Sequence, residues 1–167
     1  MADLKLSYGT ASDLTITLAS LATDANLLTG RESAAIDNTS ALVLDYLVSG
    51  KITTGTSPTT AKSIEVWAVG SWDGTNWPDV FDGTDSAETI TSADIKASVT
   101  RYLAAMATSS TSNVGYHFGP VSLAAAFGGV LPPKIVLFVT HSTAVALNAT
   151  AANHQIRLQP VYQTLNG

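Results

Sequence analysis

Three histidines, His117, His141 and His154, share this chain with thirteen acidic residues and many serines, the ingredients of a Ser–His–Asp hydrolase. A triad is a matter of geometry, not of composition. No G-x-S-x-G elbow occurs, and no histidine stands in a catalytic sequence context. The histidines also lack the H-x-H or H-E-x-x-H spacing of a metal site. They read as strand or loop residues that hydrogen-bond locally. Gly128–Gly129 is not followed by the Lys and hydroxyl of a phosphate-binding loop. The sequence therefore predicts no catalytic residue, no cofactor and no metal.

The stretch from Trp72 to Asp85 is the other place where chemistry could reside. Asp73, Asn76, Asp79, Asp82 and Asp85 recur about every third residue, and calcium favours several oxygens on a flexible loop. An EF-hand needs ligands at alternate positions and a closing Glu, which this loop does not supply. Asp and Asn are also ordinary turn formers, and that reading is preferred. Trp72 and Trp77, with Phe81 nearby, could form an aromatic platform for a sugar ring. The competing role for these rings is to plug one end of the fold or bury against a partner.

The elements that would position these residues are strands. Leu14, Ile16 and Leu18 alternate with polar residues, as on a half-buried strand. A second period of two runs through 41–52, with Leu42, Leu44, Tyr46 and Val48 on one face. Ser63–Ser71 and Lys134–Ser142 are apolar on both faces, which predicts cover on both faces. For Ser63–Ser71, which carries Trp67, the second cover must come from a loop or from another chain. Further strands are expected over Val99–Ala107, Val114–Leu123, Val145–Thr150 and His154–Thr164. Ser92 should cap a short helix over Ala93–Ala97. Pro120 and Pro160 lack a ladder donor, so each marks a bulge, a break or a sheet edge. The span 22–40 has no clean period and reads as a long loop. Phe127, Val130 and Leu131 lie in an apolar, glycine-rich stretch that would make a sticky exposed tip. Eight strands, little helix and irregular connections predict an all-β, antiparallel sandwich of jelly-roll type, in one domain over 1–167.

Only 13% of the 167 residues are charged, against about 25% in ordinary soluble domains. Such a surface strips few ions of water when covered, which suits packing against other chains. The net charge of −5 argues against nucleic acid as the main partner. No apolar run approaches the roughly 20 residues of a membrane span. The first residues, MADLKLSYGT, lack the pattern of a secretory signal, so synthesis without export is expected. With no cysteine there is no disulfide framework.

Several long runs resemble small structural proteins of tailed bacteriophages: RESAAIDNTSALVLDYLVSGKITTG, SIEVWAVGSWDGTNWPDVFDGTDSAETITSADIK, YHFGPVSLAAAFGGVLPPKIVLFVTH and STAVALNATAANHQI. The resemblance covers most of the chain and carries no catalytic residues. It implies a virion component, made in the host cytoplasm, of the capsid decoration (cement) type. Such a protein is not an enzyme. It is expected to bind the major capsid protein lattice and stabilise the shell as a homo-oligomer, a dimer or trimer because closed symmetry is the common case. The contacts expected for it are Trp67, Phe127, Val130 and Leu131, with the N-terminal segment 1–12 and the excursion 22–40 docking on neighbours. The alternative is a receptor- or glycan-binding module of a head or tail fibre, acting through Trp72 and Trp77.

Overall fold

The computed structural model describes residues 3–166, and Met1 and Ala2 of the N-terminal segment lie outside them. Among the described residues eleven strands form two antiparallel sheets. Strands β1 (Asp3–Tyr8), β5 (Asp45–Thr53), β9 (Gly115–Ser122) and β11 (Gln155–Asn166) make one sheet, in the order β1-β11-β5-β9, with β2 (Ser12–Asp13) also on β11. In the other, β3 (Thr29–Glu32), β6 (Lys62–Ser71), β7 (Ala87–Thr89), β8 (Thr100–Thr108) and β10 (Lys134–His141) run β7-β3-β10-β6-β8, with β4 (Ile36–Asp37) on β10. The pairs β1·β11, β3·β10, β5·β9 and β6·β8 are those of one long hairpin wrapped into two layers. The fold is thus a jelly-roll sandwich, with one sheet strongly curled.

The central strands β6 and β10 are apolar on both faces, and both faces are covered from within the chain. Ile64, Val66, Ala68, Ile135, Leu137 and Val139 point between the sheets and join Val48, Ile52, Phe118, Ile156 and Leu158 in the main core. Val69, Val136 and Phe138 point outward, beneath Phe81, Ile90, Trp77 and Val99. The second cover is thus the loop after β6 together with the helix α2 (Ala93–Val99). Ser92 caps that helix by accepting a hydrogen bond from the Ile95 amide, as its sequence position predicts.

Several local expectations change. The alternation at Leu14–Leu18 belongs to an extended crossing between the sheets, not to a strand: the Leu14 amide bonds Ile156 in one sheet, while Thr15 accepts from Ala34 beside the other. The span 22–40 is not a structureless loop. It supplies β3, β4 and the turn of helix α1 (Asn38–Ala41), and Gly30, Glu32 and Ser33 are buried. Leu42 closes that turn in the left-handed region (φ 48°), which throws it and Leu44 out to solvent. On β8 the pairing shifts between Val66 and Trp67, so Leu103 joins Met106 in the core although they are three apart.

The prolines follow the ladder rule. Pro120 sits on the edge strand β9 where the pairing slips against β5. Pro160 lies inside a sheet, against Tyr46, but beside a one-residue bulge between β1 and β2. There the Gly9 amide donates to the Pro160 carbonyl, and the Gln159 Nε2 meets the Gly9 carbonyl at 3.5 Å in place of the donor that proline lacks.

Gly30 lets β3 lie close on β10. A Cβ there would overlap the Val139 carbonyl oxygen and stand 2.7 Å from the Phe138 ring. Gly30→Ala is expected to cost about 1–3 kcal/mol through forced backbone movement, measured as a loss in urea midpoint. No helix among the described residues is long and apolar enough to cross a membrane.

Candidate functional site

The loop between β6 and β7 holds most of the candidate chemistry, and its acids act as staples. Asp73 accepts hydrogen bonds from the amides of Thr75 and Asn76 and from the Asn76 side chain. The Asn76 amide leads the bonds that hold Asp73 below the usual carboxylate range. Asp79 accepts from the Thr91 amide (3.0 Å) and hydroxyl (2.5 Å), and Asp82 from those of Thr84. Asp85 receives the Arg31 Nε at 2.6 Å and both the amide and hydroxyl of Thr17. Burial alone would raise the Asp85 pKa, but the bonds from Arg31 and Thr17 outweigh it and bring it below its ordinary value. The four carboxylates thus fasten different turns. Among the described residues no three His, Asp or Glu stand together to hold a metal ion.

Beneath this loop lies a carboxylate whose role the sequence does not reveal. Glu32, on β3, is fully buried and accepts from the Gly83 amide (2.7 Å) and the Asp82 amide (3.3 Å). Burial pushes its pKa up to about 7, against the pull of those amides and with Asp82 and Glu88 adding repulsion. Its sequence neighbours Arg31 and Ser33 suggest a solvated loop. The partners that bury it come fifty residues later, beyond the reach of any local pattern.

The aromatic candidates separate. Trp67 is half-buried in a cage: its Nε1 donates to Glu65, the Lys96 ammonium stands 4.6 Å over its ring, and Tyr102 meets it edge-on. Lys96 also pairs with Glu65 at 3.0 Å. Trp77 turns inward over Gly83 and packs on the outer apolar cluster. Trp72 stays out, with 75% of its surface exposed. It borders a cleft of about 380 Å³ with Gly70, Pro78, Val99, Arg101, Phe127 and Pro132. Trp72 and Trp77 therefore form no common platform, and the cleft joins Trp72 to Phe127 instead. Phe127 and Leu131 pack partly on the main core, so of the expected sticky tip only Val130 projects. Trp72→Ala should leave stability within about 0.5 kcal/mol of the parent, whereas Trp77→Ala should lose several-fold more; paired urea titrations check this.

Two of the three histidines serve the fold. His141 is buried, with Nε2 on the Leu21 carbonyl and Nδ1 on the Thr143 hydroxyl. The Nε2 of His154 donates to the Asn148 carbonyl, which leaves Nδ1 to accept from the Thr53 amide. Burial lowers both pKa values, so each favours the neutral ring. His117 is exposed on β9. A second cavity of about 430 Å³ beside Leu14–Ala19 is lined by His154, Gln155 and Asp13. Asp13 there pairs with Arg157 at 3.3 Å and accepts from Gln155. Every buried side-chain nitrogen and oxygen among the described residues has a hydrogen-bond partner. The arrangement can hold loops rigidly, and the hydroxyl–imidazole pair of Thr143 and His141 is itself fully buried. No protein-family model, curated protein or solved structure matches this chain.

Proposed function

We propose that the chain is a non-enzymatic capsid decoration (cement) protein of a tailed bacteriophage. It binds the lattice of the major capsid protein at the outer surface as a homo-oligomer. It stabilises the shell by mass action, because it binds the assembled lattice better than free subunits. The observation that carries this reading is where the exposed apolar side chains lie. Leu4, Leu6 and Tyr8 stand on β1 and Leu42 and Leu44 on the turn before β5, while Trp72, Ile95, Tyr102 and Val130 are exposed elsewhere. The carboxylates and imidazoles inside the fold, by contrast, are tied to backbone groups, hydroxyls and Arg31. Jelly rolls serve in viral capsids and in lectins, which supports the class by analogy of fold alone.

The test uses particles of the phage that encodes the chain. Quantitative mass spectrometry should find hundreds of copies per particle. Particles made without the chain should release DNA at lower temperature and regain resistance when it is added back. Unchanged resistance would contradict the stabilising role.

A receptor- or glycan-binding module is the second reading, favoured by the exposed Trp72 beside Arg101 at the cleft. Tens of copies or fewer, together with glycan-array binding abolished by Trp72→Ala, would support it over the first.

A further inference from the structure

Among the described residues four strands end the two sheets, beside the two-residue edge pieces β2 and β4, and three of the four are blunted. Strand β7 has three residues. Strand β9 carries Pro120 and a slipped register, and β8 a bulge and Arg101. Such features discourage pairing with another chain. Strand β1 is blunted least: it has six residues, no proline and a continuous register against β11, and its only such feature is the pair of charges Asp3 and Lys5. Among the described residues it is paired on one side only.

The ribbon of β1 and β11 also outruns its sheet. Strand β11 pairs with β5 only from Gln155 to Val161, whereas β1 follows it on to Asn166. Beyond Val161 the sheet is therefore two strands wide, and Lys5, Leu6, Gln163 and Thr164 are exposed whichever face they take. Two strands alone are marginal in water, and a third adds the pairing and cover they lack. Ile156 and Leu158 fix the inner face of β11, which places Leu6 and Tyr8, opposite Gln163 and Val161, on the outer face. Leu4 shares it. Leu6 and Tyr8 are each 64% exposed.

We infer that β1 pairs antiparallel with β1 of a second copy, about a two-fold axis through Leu6. Directly opposed residues of antiparallel strands share a face, so only an even register keeps the outer faces of both copies on one side. The register centred on Leu6 sets Leu6 against Leu6 and Leu4 against Tyr8. Lys5 then faces Ser7, so no like charges oppose. This joins two five-stranded sheets into one and is isologous, as a two-fold requires. One strand is a small interface, so the dimer is weak when free and populates as concentration rises through the micromolar range. The inference rests on the homo-oligomer part of the reading above and not on the capsid.

Sedimentation of the full chain without any capsid tests it. The parent should pass from monomer to dimer with rising concentration. Leu6→Glu, which opposes two carboxylates on the axis at an already exposed site, should weaken the dimer by about tenfold or more. The chain has no cysteine, so Leu6→Cys introduces a single thiol. It should oxidise to a covalent dimer far faster than Tyr8→Cys, whose opposite residue is Leu4. A parent that stays monomeric, a trimer, a dimer unaffected by Leu6→Glu, or equal cross-linking of the two cysteines would each overturn the inference. Their outcome is independent of whether the chain binds a capsid.

Discussion

Phe138→Ala should be among the most damaging single substitutions, with a loss of about 3–5 kcal/mol and a melting temperature lower by roughly 6–20 °C. Phe138 is fully buried at the centre of β10, the strand with buried residues along nearly its whole length. It points away from the main core and meets Phe81 edge-on at 5.6 Å, so it is the floor on which the loop after β6 rests. Removing the ring leaves a cavity that rigid strands on either side cannot close. The same contact predicts a signature beyond stability. Trp77, in the same cluster, should become more accessible to a fluorescence quencher in Phe138→Ala, while exposed Trp72 already contributes fully in the parent. Thermal unfolding and quenching on one sample check both. A loss below about 1 kcal/mol would show that the loop is held by its carboxylate staples alone.

Glu32 predicts the second large effect, and it is one of pH. A carboxyl raised from 4.5 to about 7 by burial contributes stability that is fully present below pH 4.5 and lost as pH rises through 7. The shift corresponds to about 3 kcal/mol. His141 and His154, with lowered pKa values, work in the opposite sense: their contribution is present above the ordinary histidine value of about 6.5 and lost as pH falls below it. The wild-type curve therefore mixes the two, and the difference between Glu32→Gln and the parent isolates Glu32. Gln keeps an acceptor for the Gly83 amide and cannot ionise. The variant should gain on the parent by about 3 kcal/mol between pH 4.5 and 7.5 in urea titrations. Parallel curves would mean that Glu32 ionises without cost, which is incompatible with its burial under Asp82 and Gly83.

The physical reasons why some elements are legible in the sequence are specific. Strands β6 and β10 announce themselves because both faces are apolar, and the reason is now visible: the chain folds its own loop over the second face. The cap at Ser92 and the irregularity at Pro120 are local backbone chemistry and can be read locally. Strand β3 is hidden because its two charged residues, Arg31 and Glu32, find partners at Asp85 and at the Asp82–Gly83 amides, far along the chain. Leu42 and Leu44 mislead because a left-handed residue ends the helical turn before the strand begins. The aromatic site divides for a similar reason. Trp72 and Trp77 are close in sequence, but Ser71 and Asp73 bind a tight turn between them, and the turn sends one ring out and the other under Gly83. The apolar edge of β1 carries only two leucines and a tyrosine, too weak a signal until the strand is placed at a sheet edge.

The role proposed for this jelly roll is contact with other protein chains on a capsid. A cryo-electron microscopy map of the particle that carries it tests this most directly. Two-layered β density should stand in regular positions on the outer shell, touching the major capsid protein, with the β1 edge buried against protein. Density confined to a fibre or tail, or a particle that contains no copy of the chain, would contradict it.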